Sequence, residues 1–515
     1  MSLNIDFSNE SPTEEIDQGV GNAMGGTELM RKWLFDRLDP ELRDYFQFIS
    51  SRKRTLEDKP RLFWVHDLAQ DPEVEFLKEE KDGMLQFEKI VFVSHWQQYQ
   101  YGVYLGVPYD HGVVIQNAID PIPVHEKPQD KITCISVVGT NGKYSTIQAL
   151  YSILKEANYK CNIYTSPHIQ KINERFIYNN IPLTDDQLAN LLSEIEDANN
   201  GEQITFFEIL TVAFFHHAQK YPRNINLIES GLFHRFDATN ILKKNLASVV
   251  TAIGLDHLDW LPKEEQTLKK IIFEKTSTLL NSKIIVAKQT SAEIDDYIEK
   301  SIQNNQSSKL IFNKNYSFVL KENDFFYFED EFGGIKLPKP NLLGEFQLDN
   351  ISTAIATVRQ LKDYHITNEH IKNSIIKIKS IARLQEIKSG KLKNLVKNNK
   401  LFVDGSHNPL GAKVLNQYLQ SLNCKKHIIL GMMANKDHID YMNYFDNIET
   451  LTIIDIPNQP NAIKGIELKE KISNFANIKY KKSVQEAISS IELQENDIIL
   501  ITGSLYLAGE ILNLN

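Results

Sequence analysis

The sequence predicts an α/β protein of several domains built on parallel sheets, and three observations carry that expectation. Short apolar, β-branched runs alternate with stretches of helical periodicity through most of the chain, as parallel βα units do. One of those runs, Ile132 to Val138, passes into a glycine loop and then an amphipathic pattern with Ile147, Leu150, Leu154 and Ala157 on one face. The chain has 515 residues, well past the roughly 250–300 at which a single core stops growing.

Residues 1 to about 125 form the first block. Gly25-Gly26-Thr27-Glu28 precedes a helical pattern, apolar strands are expected at Leu62–Val65 and Ile90–Val93, and their C-terminal ends carry His66-Asp67 and Ser94-His95. Residues 126–130 fall in a proline-rich polar stretch and are expected to link this block to the next.

The second block, 131–384, opens with the glycine loop. A strand, then Gly139-Thr140-Asn141-Gly142, then a helix N-terminus makes an anion cradle, because free backbone N–H groups and the positive end of the helix dipole face the same point. Lys143 adds a mobile positive charge, and Ser145 or Thr146 places a hydroxyl in the first turn, suited to a magnesium ion that accompanies ATP. Three further runs end in potential ligands: Asn162–Thr165 in Ser166-Pro167-His168, Ile225–Ile228 in Glu229, and Leu246–Ile253 in Asp256-His257. In a doubly wound sheet these ends share one edge, which gathers hydroxyl, carboxylate and imidazole beside the phosphate loop. The third block, 385–515, repeats the alternation, with strands expected at Leu401–Val403, Ile428–Leu430, Leu451–Ile454 and Ile498–Ile501.

Composition narrows the function. A net charge of −10 disfavours nucleic acid or an anionic membrane as partner, and no apolar run approaches the length of a membrane span. Cys134, Cys161 and Cys424 show no metal spacing, and the polar, acidic N-terminus resembles neither a secretory signal nor a transit peptide, so a cytoplasmic monomer is expected.

Particular stretches resemble known families. GGTE, VHDLAQDP, VFVSHWQ and VIQNAIDP come in the order of a group 1 glycosyltransferase N-lobe, a resemblance that stops near Asp120 without the nucleotide-sugar lobe. From Lys131 onward GTNGKYST, TSPHIQKINERF, TFFE, ESGLFHRFDATN, GLDHLDWL, LLGEFQLDN, VDGSHNP and ITGSLYLAGE resemble the folylpolyglutamate and dihydrofolate synthases of the Mur ligase superfamily. That resemblance implies a Mur-ligase-type ATPase domain with a parallel sheet and phosphate loop, a C-terminal Rossmann-like glutamate ligase domain, and an N-terminal α/β half-domain. It implies ATP-dependent addition of L-glutamate to folate, with dihydropteroate as a further acceptor, through an acyl phosphate and with two Mg²⁺ ions. A peptidoglycan Mur ligase and a non-catalytic nucleotide-binding relative are the alternatives.

Residue by residue, the resemblance assigns Gly139, Thr140, Asn141, Gly142, Lys143, Tyr144, Ser145, Asn350, Arg383 and Asp404 to the nucleotide. Ser145, Ser166 and Glu229 match the ligands of one magnesium, and Glu229 and His257 lie around a second. Lys275 matches a lysine that becomes a carbamate, and His407 stands near the nucleotide as a catalytic candidate beside Lys143 and His257. Thr205, Phe206, Phe207 and Glu208, with Phe236, Asp237 and Ala238, match the pterin-contacting segments. Three glycines of the pattern are replaced. Tyr144 falls in a helical turn where a Cβ is allowed, whereas Phe233 and His234 would be strained wherever the loop needs a positive φ.

Overall fold

The computed structural model describes residues 47–50, 60–65, 76–79, 83–92, 95–114 and 132–515 apart from 322–324, 474 and 476–477, with positions 69 and 74 besides. The chain divides into two compact units, Met1–His125 and Glu126–Asn515.

In the first unit four parallel strands lie in the order Gln47–Ser50, Arg61–Val65, Lys89–Phe92, Gly112–Val114. Phe63, Val65, Ile90, Phe92 and Tyr101 are buried together on one side. The strands expected near 62 and 90 are present, while Gly25–Glu28, His66-Asp67, Ser94 and the 126–130 linker lie outside the described residues.

The second unit holds two large sheets. The first runs Ser308–Ile311, Lys283–Val286, Ala247–Val250, Thr133–Val138, Ile225–Glu229, Cys161–Tyr164, Phe176–Tyr178, Ile181–Pro182. Its first six strands are parallel, and a short antiparallel hairpin closes the edge. The four ligand-bearing strands are consecutive neighbours here, so their C-terminal ends make one continuous rim. The glycine loop leads into the helix Lys143–Glu156, whose buried Ile147, Leu150, Ile153 and Leu154 pack on the sheet with the helix Phe346–Arg359.

A feature the βα alternation concealed is a three-stranded antiparallel meander, Tyr316–Lys321, Phe325–Asp330 and Gly333–Pro338. Its period is two: Phe326 and Phe328 are buried, while Tyr327 between them faces outward. The remaining sheet, Gln385–Glu386, Lys400–Val403, Ile498–Thr502, Lys426–Leu430, Thr450–Ile454, Ile478–Lys481, is parallel except for its first pair. It carries its own apolar clusters on its two faces. Among the described residues no helix is long and apolar enough to cross a membrane.

Candidate active site

A cavity of about 1440 Å³ lies between the rim of the first sheet and the loops of the last one. The phosphate loop forms its floor. Gly139 (φ 151°) and Gly142 (φ 90°) adopt backbone that side chains rarely take, and a Cβ would lie 2.0 Å from Thr251 Oγ1 at the first and 2.3 Å from Asn350 Oδ1 at the second. The first intrahelical bond runs from Thr146 N–H to the Gly142 carbonyl, which leaves the amides of Lys143, Tyr144 and Ser145 ahead of it as the helix's free donors.

Thr140 and Asn141 act differently from the expectation. Their N–H groups both donate to the Ala252 carbonyl, at 2.9 and 3.1 Å, and Thr140 Oγ1 donates to Gly254, so they tie the loop to the neighbouring strand end. The Asn141 side-chain amide faces that of Asn408, 3.0 Å away, on the other sheet. Both residues still line the cavity.

Lys143 Nζ donates to the Gly139 and Thr140 carbonyls and sits 3.9 Å from Glu229. Glu229 is 4% exposed and accepts the Ser166 N–H at 3.1 Å. Burial raises its carboxyl above the ordinary range, opposed by Lys143, with Arg383 and Arg175 further off. Ser145 Oγ lies 2.9 Å from Ser380 Oγ, so at this residue a second hydroxyl, unforeseen from sequence, joins the cluster. His257 holds a left-handed backbone (φ 57°), and burial brings its imidazole down to about 3, so the ring is neutral at physiological pH.

Asp256, named from sequence only as a strand-end potential ligand, is the centre of a cross-sheet cluster. It accepts Lys436 Nζ at 2.8 Å, Asn408 Nδ2 at 2.9 Å and the His257 N–H at 2.9 Å, with His407 Nε2 3.5 Å away. Burial alone would raise this carboxyl; the hydrogen bond and charge of His407, with His257 and Lys436, outweigh it and hold the group well below the carboxylate range. His407 thus faces Asp256, and its Nδ1 lies 2.9 Å from the Gly405 carbonyl.

Asp404 departs from a simple nucleotide contact. Its two oxygens accept the N–H groups of Leu384 and Ser406, at 2.6 and 2.7 Å, so the carboxylate organises the loop that lines the cavity. Arg383 lines it too, with its guanidinium 5.6 Å over the Tyr144 ring. The Tyr144 ring therefore turns onto Arg383, and the helical backbone at 144 is unstrained, as expected. Asn350 donates to Gln347 and packs its oxygen against Gly142.

On the opposite wall Thr205 caps the helix Phe206–Ala218, its N–H and hydroxyl both bonded to Glu208. Thr205, Phe207 and Glu208 line the cavity; Phe206, 62% exposed, does not, and its ring lies 5.8 Å from Arg175. Arg175, a buried cavity residue that sequence reasoning passed over, donates from Nε to His168 Nδ1 at 3.1 Å. Asp237 accepts Gly231 N–H, Thr239 N–H and the Thr239 hydroxyl, which folds the loop from Gly231 to Thr239 around it. Phe236 and Ala238 line the cavity beside it. The strain expected at Phe233 and His234 is absent, since neither has a positive φ; it falls on Phe236 instead (φ 63°), which is also 86% exposed.

Lys275 is buried with 1% exposure and is not on the cavity wall, although Glu274 and Phe233 are. Its Nζ donates to the Leu232 carbonyl, and burial brings it down to about 7.

Residues 391–505 match the model of the Mur ligase glutamate ligase domain. The dihydrofolate synthase/folylpolyglutamate synthase of Bacillus subtilis is 29% identical over 409 residues, 75% of this chain and 90% of that protein. Escherichia coli FolC, solved with DHPP and ADP, superposes with a TM-score of 0.64 at 25% identity over 75% of this chain and 89% of its own. The folylpolyglutamate synthase of Mycobacterium tuberculosis, solved with ADP and AMPPCP, shares the fold with a TM-score of 0.66 at 20% identity, over 75% and 92% of the two chains.

Proposed function

We propose that this chain, a relative of the folylpolyglutamate/dihydrofolate synthases with the Mur-ligase fold, is an ATP-dependent ligase that adds L-glutamate to a folate. The observation that carries the reading is one cavity walled by the phosphate loop, by Thr205, Phe207 and Glu208, by Phe236–Ala238, and by loops of the glutamate ligase domain.

A carboxylate is a poor electrophile, so the γ-phosphoryl group of ATP is moved onto the acceptor carboxyl, and the amino group of glutamate attacks the resulting acyl phosphate with loss of phosphate. The free amides of Lys143, Tyr144 and Ser145 bind the phosphates, and the Lys143 ammonium meets the charge that builds on the transferred group. Ser145, Ser166 and Glu229 offer two hydroxyl oxygens and a buried carboxylate, a set that fits one Mg²⁺. When bound, such an ion neutralises phosphate charge. Neutral His257 offers an imidazole lone pair to the site. Asp256, Lys436 and Asn408 hold the loops of the two sheets together over the site, which shields the acyl phosphate from water. All these groups come from one chain, consistent with action as a monomer.

The reading is tested by ATP-dependent incorporation of [¹⁴C]glutamate with folate, dihydropteroate and muramyl-peptide acceptors. Incorporation with folate supports it, and incorporation with dihydropteroate as well extends it to the second activity named for the B. subtilis protein. Incorporation with the muramyl peptide alone, or none at all, overturns it.

A further inference from the structure

The second ion and the carbamate on Lys275 do not fit the residues as they stand. A carbamate serves as a ligand only if its oxygens reach the cavity; Lys275, 1% exposed, does not line that space, whereas Phe233 does, with its ring centroid 5.3 Å from Nζ. The ring also meets His257 edge-on at 6.3 Å, and it packs at the rim of an apolar cluster beside Leu258, Leu261 and Leu268. With 1% exposure the amine is cut off from the cavity, so access is what is missing.

The rest of the wall offers a second ion little. The oxygens of Asp256 are taken by Lys436, Asn408 and the His257 N–H, and those of Asp237 by Gly231 and Thr239. Glu208 is bonded to Thr205, and Glu274 to Arg235 and Lys270. Glu229 combines burial with a carboxylate that feels three cations, Lys143, Arg383 and Arg175. Among the described residues no three His, Cys, Asp or Glu side chains stand around a common point.

We infer that Phe233 is a plug that keeps Lys275 an unmodified amine and leaves this active site with one divalent ion instead of two. The inference rests on the ligase reading above. Carbamylation would join the neutral lysine nitrogen to the carbon of CO₂, move one C=O π pair onto oxygen and release a proton to solvent; behind the plug that N–C bond does not form. With a single ion, the guanidinium groups of Arg175 and Arg383 share with Lys143 the charge that a second ion would otherwise meet.

The test uses the full chain with a non-hydrolysable ATP analogue, counting bound Mn²⁺ by electron paramagnetic resonance and seeking a carbamate carbon by NMR in ¹³C-bicarbonate. One Mn²⁺ per chain and no carbamate signal are expected, with the count unchanged in Lys275→Met. Phe233→Gly is expected to gain both the signal and a second ion. Two ions or a carbamate in the unaltered chain, or loss of the ion in Lys275→Met, overturns the inference while leaving the ligase reading intact. A folded Phe233→Gly that gains neither overturns the plug. Failure of the unaltered chain to bind any nucleotide or ion overturns both.

Discussion

Glu229 sits out of water opposite three cations, and that setting fixes what its removal does. The Glu229→Gln side chain no longer carries a buried anion, so the thermal midpoint should not fall, while ligase turnover should drop on the order of a hundredfold or more; Lys143→Ala should do the same to turnover through loss of phosphoryl stabilisation. Turnover assays beside thermal melts check both. Asp349 gives a pH-dependent case away from the chemistry. Burial, opposed by Lys288 3.6 Å from its Oδ1, raises it from 3.8 to about 6. The folded form therefore holds the proton more tightly than the unfolded form. The resulting loss of stability is absent below the unfolded value, grows as pH rises toward 6 and is complete at pH 7. Asp349→Asn should accordingly gain about 1–2 kcal/mol at pH 7, after allowing for the lost Lys288 contact, and nothing at pH 3.5, as read from denaturant midpoints. At this scale the sequence revealed identities better than contacts. Ser166, Glu229 and His257 were legible because strand ends in a parallel sheet share an edge. Arg175 and the Asp256 cluster were not, because their partners lie across the fold, and Lys436 is 180 positions from Asp256.

The phosphate loop is the element on which the site depends most. Gly142 combines a φ of 90° with a Cβ position already filled by Asn350, so Gly142→Ala should cost about 1–3 kcal/mol in strain and weaken binding of a fluorescent ATP analogue by about tenfold or more. Gly201 is the control: its φ is 77° with nothing within 4 Å, so Gly201→Asn should leave that affinity unchanged. The loop and its helix were readable from the switch between β-branched run, glycines and helical period. The meander of residues 316–338 was not read, although its alternation is visible in Phe325 to Asp330, because a βα rhythm on both sides masked a period of two. Nor could sequence show that the strain in the loop after Glu229 falls on Phe236, since a left-handed phenylalanine has no local signature.

For the whole molecule, the first compact unit presents a four-stranded sheet with its own core, so a chain without residues 1–125 should keep ligase turnover within about threefold. We propose that this unit transfers no sugar; release of nucleotide from any nucleotide sugar by the full chain would disprove that. Within residues 126–515 the two large sheets have separate apolar clusters, and polar pairs cross the seam between them: Asn141 with Asn408, Asp256 with Lys436, Asp259 with Asn435, Gln170 with Asn513. Apolar side chains cross it too: Leu410 on Gly254, Leu343 and Phe346 on one face of the last sheet, and Ile169 on the other. Because each sheet keeps its own apolar cluster, calorimetry of the ligand-free unit should resolve two overlapping endotherms. A nucleotide held by both sides acts as a rivet, and at saturation the two should fuse into one sharper, later transition.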